Sequence, residues 1–334
     1  MITMQINGRL GNQMFQYAFA RKLWEQTGKR GRIYLEFVSY GEYLNDFKTN
    51  YVKVPYKLDD KSFWKRKLHL AKPILFIIAI ELTAARIWRS LAKILGQKKN
   101  LTTLVYEHKW EKTFGWAWSL FGIFLARYGY VNFQYPSYLQ HIPLRAYGCF
   151  ECSKYFDDIK PILQEEFTPI EPPRAENEKL YKKITESESV CVTIRRGDYL
   201  NDTFRNDFYL CTPKYFIEAM RIMKSRVPNA KFFIFSDEPE WCKENIPFPF
   251  ECEYESGIDP VWEKLRLMYS CKHFIISNST FSWWAQYLSR NKNKVVIAPN
   301  KWRNGSYTWD IYKDQNWLTC DLESYKLIPN TLKT

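Results

Sequence analysis

At 334 residues the chain is longer than one ordinary domain, which excludes a small binding module and predicts two domains or one large α/β unit. Its 46% hydrophobic and 25% charged residues exclude a disordered polyelectrolyte. The 49 Lys and Arg against 36 Asp and Glu give a formal +13, which with 18% aromatics narrows the partners to anions: nucleic acid, an acidic membrane surface, or the phosphates of a small ligand.

In chain order, the first expected element is a strand over residues 3–7. It runs into the glycine loop Gly8, Arg9, Leu10, Gly11, Asn12, Gln13 and then a helix whose Met14, Phe15, Ala18, Phe19 and Leu23 recur at helical spacing. Asn12 is suited to cap that helix and Gly28 to stop it. The spacing Gly8-x-x-Gly11 lacks the dinucleotide G-x-G-x-x-G pattern. The amino terminus has neither the positive start nor the apolar run of a signal peptide, so a cytoplasmic location is expected.

Between about 40 and 145 the pattern degrades and no topology can be read. Residues 61–99 carry ten Lys and Arg against one acid, Glu81, interleaved with Phe63, Trp64, Ile74, Phe76, Ile77, Ile87 and Trp88. That is a basic amphipathic stretch, better suited to peripheral contact with the inner face of a membrane than to nucleic acid. Its longest apolar run, 73–80, is far short of the roughly 18 to 20 residues that cross a bilayer.

Three prolines between Thr168 and Arg174 mark a connection, placing the domain boundary near 170: an N-terminal domain over 1–170 and a C-terminal one over 171–334. Beyond it the elements alternate. A buried strand is expected over 189–194, a helix over 213–226 (Tyr215, Phe216, Ala219, Met220, Met223) and a strand over 231–235. A helix over 260–271, a strand over 273–276, a helix over 281–289 and a strand over 294–298 follow. Such alternation predicts a parallel, Rossmann-like sheet that binds ligand at the carboxyl ends of its strands. The eight cysteines form no dense framework and the four histidines stand singly, so neither disulfides nor a metal centre is expected; Cys149 and Cys152 are a lone C-x-x-C without a second pair.

Three of the expected strand ends are polar. Arg195 and Arg196 can fork onto phosphate oxygens with Gly197 allowing a sharp turn, or form a structural ion pair with Asp198. Ser279 and Thr280 can open a helix onto an anion or simply cap it. Asp237 can accept from a ribose or a base edge, or cap a helix. Together they point to a phosphate-bearing nucleotide.

The stretches from Gly8 to Ala18, Ile194 to Tyr199, Phe235 to Glu238 and Ser277 to Ala285 resemble, in the same order, the motifs of family 11 glycosyltransferases, the α-1,2-fucosyltransferases. The resemblance implies a GT-B-like α/β fold of two Rossmann-type domains facing a cleft, with no metal or other cofactor. It implies GDP-β-L-fucose as donor and a terminal β-galactoside as acceptor; a lipid-linked acceptor would suit the membrane contact expected of residues 61–99. Arg195 and Arg196 would hold the diphosphate, with Ser279, Thr280 and Phe281 giving hydroxyl and backbone donors. Arg9 and Asn12 would reach it from the opposing domain, and Asp237 would contact the guanosine. Inverting transfer passes through an oxocarbenium-like transition state, with Arg195 meeting charge on the leaving group. Asp198 is a candidate base, although an Asp beside two arginines is the weaker one. Two positions depart from the pattern: Thr193 stands where the family often has His, and Glu151-Cys152 where it commonly has Gln-Ser.

Overall fold

The computed structural model describes residues 1–38, 41–54, 115–127, 129–304, 311 and 316–328. The basic stretch 61–99 lies outside them. Two mainly parallel sheets fall on either side of the proline-rich connection.

The first sheet contains β1 (Ile2–Ile6), β2 (Ile33–Phe37), β3 (Val52–Val54), β4 (Ile123–Ala126) and β5 (Leu144–Gly148), in the spatial order β3-β2-β1-β5-β4 with every pair parallel. Helix α1 (Leu10–Gln26) follows β1 and buries the apolar residues that the spacing named, but also Gln13, Gln16, Tyr17, Arg21 and Lys22. It is enclosed because one side lies on its own sheet and another meets the second half of the molecule. Its buried polar side chains are therefore paired: Gln16 with the Asn7 amide and the Gly148 carbonyl, Tyr17 and Arg21 with Glu166 of α2 (Lys160–Glu166). The helix starts three residues earlier than a cap at Asn12 implies. Arg9 takes the capping position, and Asn12 lies in the first turn with its amide on the Arg9 carbonyl (3.0 Å). Gly28, at φ +66°, ends the helix as expected: a left-handed residue there costs a glycine nothing.

The second sheet holds β6 (Glu188–Ile194), β7 (Ala230–Ser236), β8 (Cys252–Tyr254), β9 (His273–Ile275), β10 (Val296–Pro299), β11 (Leu318–Cys320) and β12 (Leu327–Ile328). Their order is β12-β11-β10-β9-β6-β7-β8, and only β12 runs antiparallel to its neighbour. Around it lie α3 (Glu178–Thr185), α4 (Pro213–Arg226), α5 (Pro239–Asn245), α6 (Val261–Ser270) and α7 (Thr280–Leu288). In central β6 every residue from Ser189 to Ile194 is buried, as a parallel strand covered on both faces must be, and only Glu188 at its start is partly exposed. The five α4 residues named from the spacing are its buried face.

The halves are joined through aromatic packing. Phe15 of α1 meets Trp283 and Trp284 of α7 at 4.6 and 4.9 Å between ring centroids, and both tryptophans are fully buried core, not surfaces for sugar stacking. The connection itself is pinned by polar contacts from α6 and its approach: Arg266 donates to the carbonyls of Pro169 and Glu171, while Arg174 and Asn177 hold Asp259 and Glu263. None of the eight cysteines is in a disulfide. Among the described residues no helix is long and apolar enough to cross a membrane.

Candidate anion site between the two halves

The carboxyl ends of the two sheets meet. After β1 come Gly8 and Arg9 and then the amino terminus of α1; after β9 come Asn278 and Ser279 and then the amino terminus of α7. These helix starts touch: Thr280 Oγ1 donates to Asn12 Oδ1 at 2.7 Å, and Trp284 Nε1 donates to the Gly11 carbonyl at 2.9 Å. Only glycine fits at position 11, where a Cβ would lie 2.5 Å from Thr280 Oγ1 and 2.6 Å from the Phe281 nitrogen. No side chain caps either helix. Each start carries amides without an i−4 carbonyl, including those of Thr280, Phe281 and Ser282. Two positive dipole ends brought this close repel unless an anion lies between them.

Arg195 and Arg196 follow β6 and diverge, as successive residues leaving a strand do. Arg195 is held by Asp198 and by Asp237 (2.8 Å), with its guanidinium 5.8 Å from the Tyr199 ring centroid. Of the five N–H groups of a guanidinium, two face these carboxylates and the others stay available to an oxyanion. Arg196 is committed elsewhere: it donates to Glu238 (2.9 Å) and the Tyr209 hydroxyl (3.3 Å) and lies 3.1 Å from the Trp241 ring centroid. The expectation that both arginines share one ligand therefore meets a structure in which they face different partners.

The other expected residues also have defined places. Asp237 caps no helix; its Oδ1 accepts from the Arg196 amide (3.0 Å) while Oδ2 holds Arg195. Gly197 makes room for it, since a Cβ there would sit 2.5 Å from Asp237 Oδ2. Both oxygens of Asp198 are engaged, one by Arg195 and the other by Arg9 of the opposite half at 3.4 Å. A base role would require Asp198 to give up those ion pairs. Arg9 is 55% exposed with a long ion pair, so it is the most weakly held of the three arginines. Ser279 caps α7 only through its backbone, with its carbonyl accepting from the Trp283 amide at 2.9 Å.

Thr193, in the place of the family's histidine, is buried and accepts from the Ser277 amide at 3.1 Å, tying β6 to the loop after β9. Asn278 fixes that loop from the other side, donating to the Phe208 and Trp302 carbonyls at 2.9 Å each. Tyr199 donates to the Asn278 carbonyl (2.9 Å), and burial raises its phenol, to which Asp198 and Glu151 add. The sequence places Thr193, Tyr199 and Asn278 in or beside the motifs, but nothing in it assigns them this fixing role. Among the described residues there is no cluster of three or more His, Cys, Asp or Glu able to hold a metal ion.

Two α/β halves whose strand tips converge on one cationic point between two helix starts have a GT-B-like arrangement. The sequence profile of glycosyl transferase family 11 matches residues 126–321, and the chain belongs to that family. It is 36% identical over 164 residues to an alpha-1,2-colitosyltransferase of Escherichia coli, covering 46% of this chain and 54% of that protein. It is 25% identical over 333 residues to the Escherichia coli O-antigen biosynthesis glycosyltransferase WbnK, covering 94% and 98% of the two chains. The alignment thus spans about half of the first relative and nearly all of the second. Fucosyltransferase NodZ from Bradyrhizobium superposes with a TM-score of 0.41 at 12% identity, over 85% of this chain and 91% of that one.

Proposed function

We propose that this chain transfers L-fucose from GDP-β-L-fucose to the 2-hydroxyl of a terminal β-galactoside, with inversion, in the synthesis of a surface glycan. The observation that carries the reading is the meeting of Arg195, Arg9 and two uncapped helix starts at one point between the halves. A diphosphate placed there receives backbone N–H bonds from α7 and forked bonds from Arg195, whose aim Asp198 and Asp237 fix in advance. As the anomeric C–O bond breaks, negative charge grows on the departing GDP. These fixed positive groups stabilise that charge without reorganising, so the reaction needs no divalent ion. Asp237 acts by aiming Arg195, in place of the guanosine contact expected of it, and Arg196 supports the loop. The acceptor approaches from the N-terminal half.

A second donor is favoured by one observation, the 36% identity to a protein named a colitosyltransferase. Purified protein is to be incubated, with and without EDTA, with a panel of GDP- and UDP-sugars that includes activated colitose, together with a set of galactosides, and the product linkage determined. The expected product is an α-1,2-fucosylated galactoside, formed equally with EDTA. Product only from another donor, or dependence on a divalent ion, overturns the corresponding part of the reading.

A further inference from the structure

The N-terminal sheet has the anion site at its carboxyl end and a different surface at the other. The parallel register pairs Ile2 with both Ile33 and Leu144, and Ile123 with Arg145, so the turns leading into β2, β5 and β4 lie side by side at the amino ends of these strands. The turn before β2 carries Lys29, Arg30 and Arg32, all exposed, and is tied to β1 by the Ile2 amide on the Arg32 carbonyl (3.1 Å). Lys29, like Gly28 and Gly31, is left-handed, at φ +61°, a conformation that costs a lysine energy. The Trp24 indole holds the turn in that shape, donating to the Gly31 carbonyl at 3.2 Å. Across β1, about 10 Å away at two strand spacings, Phe121 and Tyr138 stand in the turns before β4 and β5. They are 50% and 49% exposed, and the Tyr138 hydroxyl donates to the Leu120 carbonyl (2.7 Å), which keeps their turns together. Opposite charge is scarce here. Residues 115–150 contain no Asp or Glu and residues 1–35 contain only Glu25, whose carboxylate is tied to Arg21 and Lys29.

We propose that this end of the N-terminal half seats the protein on an anionic lipid surface. Three exposed cations gathered on one turn are drawn to acidic headgroups, and two half-exposed rings a short distance away enter the headgroup layer, where an aromatic ring is more stable than in water. Charge and apolar surface together give the reversible peripheral binding that neither gives alone. A polynucleotide is a poorer fit: three cations are few against the six to ten or so phosphate contacts of a typical binder, and the Tyr138 hydroxyl is turned to the chain's own backbone. Strands of five residues at about 3.3 Å each place the carboxyl ends roughly 17 Å from the amino ends. Seated this way, the protein keeps Arg9 and the α1 start clear of the bilayer and open to substrate.

The test is co-sedimentation of the full chain with vesicles of phosphatidylcholine containing phosphatidylglycerol, against vesicles of phosphatidylcholine alone. The unaltered protein should bind the first kind only, and less as salt is raised. Arg30→Glu with Arg32→Glu should weaken binding about 25-fold or more, at about fivefold for each cation removed. Phe121→Ser with Tyr138→Ser should weaken it about tenfold. Tm and GDP affinity, measured alongside, should stay near those of the unaltered protein and show that the fold is intact. Neither variant touches residues 61–99, so the comparison isolates the end face. If either variant binds as the unaltered protein does, or the unaltered protein ignores the anionic vesicles or binds both kinds alike, the proposal is overturned. Binding of duplex DNA or single-stranded RNA in place of the vesicles overturns it too, and makes the face a nucleic-acid surface.

Discussion

On the C-terminal side of the mouth the charges are already spoken for. Arg195 is bracketed by Asp198 and Asp237, and Arg196 by Glu238, Tyr209 and Trp241. On the N-terminal side Arg9 is 55% exposed, with an ion pair of 3.4 Å to Asp198. Pairing fixes direction, and a fixed cation stabilises charge that appears during a reaction without first having to turn towards it. Weak pairing leaves a group free to turn. One half therefore grips, and the other holds a cation loose enough to close on a ligand.

The comparison breaks most visibly at Arg195. Arg195→Ala should leave far-ultraviolet circular dichroism unchanged while lowering transfer a hundredfold to a thousandfold, roughly 3 to 4 kcal/mol of lost transition-state stabilisation. The loss includes a reversal of local charge, because Asp198 and Asp237 would remain without the cation between them. Arg195→Lys separates the two contributions: it restores the charge but not the fork that spans both carboxylates and an oxyanion, so it should recover only a small part of the rate. Full rate in a folded Arg195→Lys protein would remove the grip from this residue.

The seam between the halves is tested at Gly11. Alanine inside a helix gains up to about 1 kcal/mol over glycine, whereas a Cβ 2.5 Å from Thr280 Oγ1 and 2.6 Å from the Phe281 nitrogen forces α1 and α7 apart. Overpacking of that kind costs about 1 to 3 kcal/mol, so the clash wins. Gly11→Ala should lower Tm by several degrees and weaken GDP affinity together, with altered emission from the buried Trp283 and Trp284. An unchanged or raised Tm would mean that the helix starts are not in contact in solution.

Much of the C-terminal half was legible, because β6, β7 and β9 are apolar runs and α4, α6 and α7 follow at helical spacing. The shorter α3 and α5 bury only Ile184 and Cys242 and left little pattern. The N-terminal sheet resisted because β3 has three residues, none fully buried, and β4 and β5 return only after a long insertion. In the site, Arg195, Asp237 and Thr280 could be found as polar residues just past strand ends. Asn12 was misread as a cap because its side chain is used on the other half of the molecule, a contact that no local pattern records.

Arg196 gives the smallest effect and the sharpest contrast with its neighbour. Its side chain is 11% exposed, so truncation strands Glu238 and opens a gap over Trp241; because the Glu238 side chain is itself 35% exposed and can turn to water, the loss is held to about 1 to 2 kcal/mol. Arg196→Ala should therefore lower Tm by a few degrees, while GDP affinity, measured by titration calorimetry below that Tm, falls less than tenfold. The Arg196 amide still donates to Asp237 in the variant, so the aim of Arg195 survives. A loss of GDP affinity as large as that of Arg195→Ala would return Arg196 to the diphosphate and would mean that its contacts with Glu238 and Trp241 are exchanged for phosphate when the donor binds.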